Sequence, residues 1–198
     1  MFILQHLVER AYRDRQELVV VGIDFEKAYD SVRRDRLIEV MRDYKIQGEI
    51  IDFVSRIYTG DRTVIDIGGE NRIEIGIESG IRQGCTASTI LFKMITYRII
   101  EGINRQCRGV RVGGRIISYL FFADDGLLVS GSIEETAEQI RVLEEVGGYY
   151  GLSIHKGKSK VVIFNREQQP SSVEGVGVEK EFRYLGLGIE NRKDLFRG

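Results

Sequence analysis

Two hydrophobic periods alternate along the chain, and each change of period marks an element. Residues 2–16 set Phe2, Ile3, Leu4, Leu7 and Ala11 among charged residues at a helical spacing. The run Leu18-Val19-Val20-Val21-Gly22-Ile23 then has no polar side chain, as expected of a buried strand. Helical spacing returns at 35–44 (Leu37, Ile38, Met41, Tyr44) and at 49–58 (Ile50, Ile51, Phe53, Val54, Ile57), and Gly60 ends it. Alternation follows: Val64, Ile65 and Ile67, then Ile73, Ile75 and Ile77, separated by the turn-forming residues 68–71. Residues 87–104 read as a helix with Ile90, Leu91, Met94, Ile95, Ile99 and Ile103 on one face. Gly113-Gly114 predicts a hairpin between 110–112 and 115–122. Asp124-Asp125-Gly126 interrupts two apolar runs and predicts a second tight turn. Ser132 and Glu135 form a capping box for a helix over 133–149, and strands are predicted at 161–164, 176–178 and 182–189. The pattern describes one α+β domain, a mostly antiparallel sheet with helices on one face.

Composition narrows the function classes. Of 198 residues, 42% are hydrophobic and 30% charged, a globular mixture. No apolar run approaches the ~20 residues of a membrane-spanning helix, and the N-terminus lacks the pattern of a secretory signal. Cys85 and Cys107 form neither a CxxC pair nor a disulfide framework. These features predict an intracellular chain, nuclear or cytoplasmic, with no membrane partner. His6 and His155 are isolated, which favours solvated or packing roles. The net charge of −1, from 29 basic and 30 acidic residues, argues against a partner held by a general basic field.

The candidate chemistry lies in three aspartates. Asp24 ends the apolar run 18–23, and Asp124 and Asp125 sit at the tip of the hairpin formed by 116–123 and 127–129. A carboxylate at the end of a buried strand is costly unless it is paired, hydrogen-bonded or bound to a cation. If the two strands are neighbours, three like charges converge and a divalent cation relieves their repulsion. Oxygen donors suit Mg²⁺ or Mn²⁺, and two such ions suit in-line phosphoryl transfer. An Asp-Gly hairpin turn and a helix-capping Asp24 account for the same residues equally well.

Five ordered stretches resemble the motifs of reverse transcriptases, in the form found in non-LTR (LINE-type) retrotransposons. They are VGIDFEKAYDSV at 21–32, GIRQGC at 80–85, FADD at 122–125, GLSIH at 151–155 with KSK at 158–160, and FRYLG at 182–186. The resemblance implies an RNA-directed DNA polymerase with a palm-like fold. It further implies two Mg²⁺ or Mn²⁺ ions, an RNA template, a DNA primer and dNTPs. Asp24, Asp124 and Asp125 become the catalytic residues, with Asp24, Asp124 and the Phe25 carbonyl holding metal and Asp125 beside them. Lys27, Ala28, Tyr29, Gln83, Gly84 and Lys158 fall in the nucleotide pocket, Tyr29 at the position that excludes a 2′-hydroxyl. Arg82 falls by the template or phosphates, and Tyr184, Leu185 and Gly186 by the primer end. By residue type alone Tyr29 reads as a core aromatic, Arg82 as a surface arginine, Lys158 as a solvated lysine and 184–186 as a plain hairpin.

The departures are also informative. Where the family's second motif has two prolines, this chain has Thr86 and Thr89, and it contains only one proline. Proline pre-sets the first turn of a helix, so the entry to 87–104 is expected to be loosened. The 198 residues read as one palm domain with part of the fingers, without the upstream fingers and the thumb. Near-neutral charge then follows, because the basic elements that hold a duplex would lie in those parts. Weak, salt-sensitive nucleic-acid binding is the corresponding expectation. An inactive remnant acting as an RNA- or protein-interaction module, and a template-independent nucleotide cyclase, are the competing readings. Oligomeric state is not readable from the sequence.

Overall fold

Apolar residues alternate between two cores along the central strand, and this organises the molecule. The computed structural model describes residues 2–68, 72–122 and 125–191. The chain opens with helix α1 (Phe2–Asp14), strand β1 (Leu18–Ile23) and a short helix α2 (Ala28–Ser31). Helices α3 (Arg34–Asp43) and α4 (Gly48–Tyr58), strands β2 (Arg62–Asp66) and β3 (Arg72–Gly76), and the long helix α5 (Thr86–Gln106) come next. Strands β4 (Val110–Val112), β5 (Arg115–Ile117), β6 (Tyr119–Phe122) and β7 (Asp125–Ser130) lead to helix α6 (Ile133–Tyr149). Strands β8 (Lys160–Phe164), β9 (Ser172–Val173), β10 (Val176–Val178), β11 (Glu181–Tyr184) and β12 (Leu187–Glu190) complete it.

Six strands form the main sheet in the order β6-β7-β1-β8-β10-β9. Its pairings are antiparallel except β8 with β10. In β1, Val19, Val21 and Ile23 face a core shared with α3, α4, α5 and α6. Leu18 and Val20 face a second core with α1 and with Tyr184 and Ile189 of the β11–β12 hairpin. Burial on both faces explains the unbroken apolar run. The helices expected on one face are α3–α6; α1 is an addition on the opposite face. Among the described residues, no helix is long and apolar enough to cross a membrane.

Three local expectations need correction. The strand expected over 115–122 breaks at Ser118, which is buried. The Ser118 carbonyl accepts the Val129 N–H at 2.9 Å and the Gln139 side-chain amide at 3.3 Å, while its hydroxyl donates to Asn104 at 2.8 Å. Partners on three other elements therefore divide the run between two sheets. In the second turn, Asp125 and Gly126 already belong to β7, and Phe122 pairs with Asp125. Asp124, the first residue of the expected turn, lies outside the described residues. Third, the single strand expected over 182–189 is two, β11 and β12, and the hairpin read at 184–186 holds, turning at Leu185-Gly186, both left-handed.

The capping box at α6 is half built. Ser132 accepts the Glu135 N–H at 3.2 Å, but the Glu135 carboxylate accepts the amides of Arg108 and Gly109 at 2.6 Å each. It ties the end of α5 to the start of α6. At the other end of α5, the helix starts at Thr86 without the prolines, behind an extended Cys85.

Candidate active site

The register of β1 against β7 builds the site. The ladder pairs Ile23 with Gly126. One step further along both strands stand Asp24 and Asp125. Both are exposed, and both line a cleft of about 270 Å³ with Lys158, Lys160, Arg183 and Tyr184. The Asp24 backbone is fixed: its N–H donates to Ser159 Oγ at 3.0 Å and its carbonyl accepts the His155 N–H at 2.8 Å. His155 therefore braces the site through its main chain. Phe25 is buried and bridges Ile154, and the bridge is made by the Asp24 carbonyl and by the Glu26 N–H, which donates to Ser153 at 2.9 Å. This pattern keeps the Phe25 carbonyl out of the bridge bonds.

These groups are hard oxygen donors, a set that suits Mg²⁺ or Mn²⁺. Among the described residues, no three His, Cys, Asp or Glu side chains gather to hold an ion; Asp24 and Asp125 are the carboxylates on this cleft's wall. The cationic side chains of Lys158, Lys160 and Arg183 on the cleft wall suit a polyanionic ligand. Lys160 is partly engaged, by Glu179 at 3.1 Å. Burial, and then the Asp125 charge, push the Tyr184 phenol above its ordinary value.

The other site candidates are not among the residues lining this cleft. Lys27 is exposed and left-handed, just before α2. Ala28 and Tyr29 are half-buried, and the Tyr29 ring stacks on Phe92 of α5 with centroids 4.8 Å apart and planes at 17°. The loop 79–84 docks on this segment: the amides of Gly80 and Ile81 donate to the carbonyls of Val32 and Tyr29, both at 2.8 Å. Gly80 has φ +88°, and a Cβ there would stand 2.8 Å from the Asp30 carbonyl oxygen, so only glycine fits the crossing. Gln83 donates to Asp30 at 3.3 Å, and Gly84 is exposed at φ +81°. Arg82 donates to Asp61 at 3.2 Å and to the Ile57 carbonyl at 3.3 Å. Arg82 and Gln83 line a different cleft of about 500 Å³. Leu185 and Gly186 are exposed at the hairpin tip.

Sequence reasoning missed Arg34, which reads as one more charge in the basic run 33–36. Its guanidinium donates to the carbonyls of Gly80, Tyr58 and Ile77 at 2.8, 3.0 and 2.7 Å, pairs with Asp61 at 3.1 Å and stacks on the Tyr58 ring. It joins α3, α4, the end of β3 and the docked loop.

The two thiols give a check on these placements. Backbone N–H bonds from Ser88 and Ala87 hold the exposed Cys85 thiol below its ordinary value. Burial, then Glu135 and Glu138, push Cys107 up to about 11 from 9.0. The thiolate is the reactive form. Iodoacetamide at pH 8 should therefore alkylate Cys85 well before Cys107, with the gap closing in denaturant; equal rates in the folded chain would contradict the placements. Because the raised value favours the neutral thiol of Cys107 in the fold, its contribution to stability is full below pH 9.0 and fades as pH rises toward about 11.

Comparison with known proteins extends this picture. Residues 2–189 match the family described as reverse transcriptase (RNA-dependent DNA polymerase). The Pol polyprotein of the type-1 retrotransposable element R2 from Popillia japonica is 26% identical over 94% of this chain. That of the type-2 element R2DM from Drosophila melanogaster is 26% identical over 71% of it. The matches take in 33% and 13% of those two proteins, so the chain spans a minor part of their length. Among solved structures, apo telomerase from Candida tropicalis superposes over 95% of the chain and 33% of its own, with TM-score 0.65 and 12% identity. At that identity the likeness concerns the fold alone.

Proposed function

The chain belongs to the reverse transcriptase (RNA-dependent DNA polymerase) family, of the non-LTR retrotransposon kind, and on that premise we propose that residues 1–198 are a polymerase palm with part of the fingers, whose Asp24–Asp125 cleft transfers nucleotides to a primer. The observation carrying this reading is the β1–β7 register, which sets the two carboxylates at one sheet end beside Lys158. Asp24, Asp124 and the Phe25 carbonyl would hold two Mg²⁺ or Mn²⁺ ions, with Asp125 beside them. When bound, such ions activate the primer 3′-hydroxyl and neutralise charge on the leaving pyrophosphate.

This chain's own residues do the rest. Ser159 and His155 keep the Asp24 main chain in place. Lys158 supplies a cation to the triphosphate within the same cleft. Tyr29, pressed on Phe92, presents a rigid ring under the sugar and thereby selects a 2′-deoxyribose. Lys27, Ala28, Gln83 and Gly84 line the incoming nucleotide, with Gln83 held by Asp30. Arg82 meets the template once it leaves Asp61, and Leu185-Gly186 offers the hairpin tip to the primer.

The test is single-nucleotide addition to a DNA primer on an RNA template, with the 198-residue chain, Mn²⁺ and each dNTP in turn. We expect slow, distributive addition of the templated nucleotide. No addition at all, or addition that ignores the template, would overturn the reading.

A further inference from the structure

The β11–β12 hairpin forms its own two-stranded sheet, so among the described residues no ladder hydrogen bonds fix it to the main sheet. Its base is tied to α1, where the Tyr12 hydroxyl donates to Asn191 at 2.8 Å. Toward its tip it meets the main sheet through two aromatic side chains. The Phe182 ring fills the space over Gly22, where a Cβ would come within 2.7 Å of the ring. Gly22 stands two residues before Asp24. Tyr184 is buried, and its hydroxyl lies 3.2 Å from the Leu120 carbonyl oxygen and 3.5 Å from that of Asp125. One contact is on β6 and the other on β7, so the phenol spans the two strands that lead into and out of the link 123–124. The same two aromatics line the cleft with Asp24 and Asp125.

We infer that Phe182 and Tyr184 are positioning residues for the metal-binding carboxylates, the first through β1 and the second through the β6–β7 hairpin. The inference rests on the proposed metal role of Asp24 and Asp125. Tyr184, assigned above to the primer by resemblance, turns its hydroxyl inward to the carboxylate strands. The tip, Leu185-Gly186, is left exposed to a primer. A shift of the hairpin thus moves the ends of β1 and β7 together, and the separation of the two carboxylates is set in part by a segment that contributes no ligand.

Mn²⁺ binding to the 198-residue chain, followed by the loss of the free-ion electron paramagnetic resonance signal, tests this without any polymerase activity. Tyr184→Phe removes only the hydroxyl, and Gly22→Ala pushes the Phe182 ring away. Each should weaken Mn²⁺ binding about fivefold, which for Tyr184→Phe is the size of one lost hydrogen bond. The metal-free melting midpoint of Tyr184→Phe should fall by only a few degrees, the effect of one buried hydrogen bond. Phe182→Tyr keeps the ring and should keep the affinity, whereas Phe182→Leu should lose it. Asp24→Asn is the reference: if it binds Mn²⁺ as well as the parent chain, the metal reading fails and this inference with it. If Asp24→Asn loses the ion while Tyr184→Phe and Gly22→Ala bind like the parent chain, the positioning role alone is overturned.

Discussion

Asp24→Asn should reduce templated nucleotide addition by on the order of 10³-fold or more while leaving the fold intact. The size follows from charge. A divalent ion stabilises developing transition-state charge by several kcal/mol, and each 1.36 kcal/mol is about tenfold in rate. An amide in place of the carboxylate removes one full negative charge from the cleft that Asp24 shares with Asp125. The fold should tolerate it because the Asp24 side chain is exposed and, among the described residues, receives no hydrogen bond or ion pair. The segment is held through its main chain by Ser159 and His155, and these bonds survive the substitution. A change in stability within about 0.5 kcal/mol is expected, typical of a surface site. Single-turnover addition and thermal melting on the same preparation separate the two quantities. Equal addition rates for Asp24→Asn and the parent chain would remove Asp24 from the chemistry.

The second large effect is on stability. Phe92→Ala should cost about 3–5 kcal/mol, the range for an aromatic deleted from a packed core. Phe92 is fully buried, in the core where α5 meets α3, α6 and β1. It also carries the stacked Tyr29 ring, and such a pair adds roughly 1 kcal/mol beyond area. Set against a total of about 5–15 kcal/mol for a domain, this loss leaves little reserve. Urea denaturation reads it directly, and a loss below 1 kcal/mol would contradict the packing described. The milder Phe92→Leu fills much of the space but offers no flat face. It should keep most of the stability while lowering the preference for deoxyribonucleotides over ribonucleotides, because the Tyr29 ring then lacks its support.

Elements bounded by local chemistry were legible before any coordinates. Helix α1, strand β1 and helix α6 announce themselves because a buried face imposes its period on the residues and Ser132 caps its own helix. The carboxylate pair was legible only as a condition. Nothing in the pattern of 18–23 or 125–130 says that β1 lies beside β7, since strand order is a long-range property. The features that escaped reading are those decided by distant partners. Ser118 breaks a strand because Gln139 and Asn104 reach it from two helices. Glu135 leaves its capping box for two amides 26 and 27 residues away. Arg34 sits in a charged run, 33–36, and the converging carbonyls of Gly80, Tyr58 and Ile77 that set it apart come from distant segments. Tyr184 looks like one residue of a hairpin tip until its hydroxyl is seen against β6 and β7.

The central claim is that the cleft lined by Asp24 and Asp125 forms a divalent-cation site. The most direct test is a crystal of this chain grown with Mn²⁺, with anomalous scattering recorded at the manganese edge. The account predicts a peak at oxygen-ligand distance, about 2.1 Å, from the Asp24 carboxylate. Its neighbouring ligands should be the Asp124 and Asp125 carboxylates and the Phe25 carbonyl. An ordered Asp24–Asp125 cleft with no anomalous peak, or with manganese bound elsewhere on the chain, would contradict it.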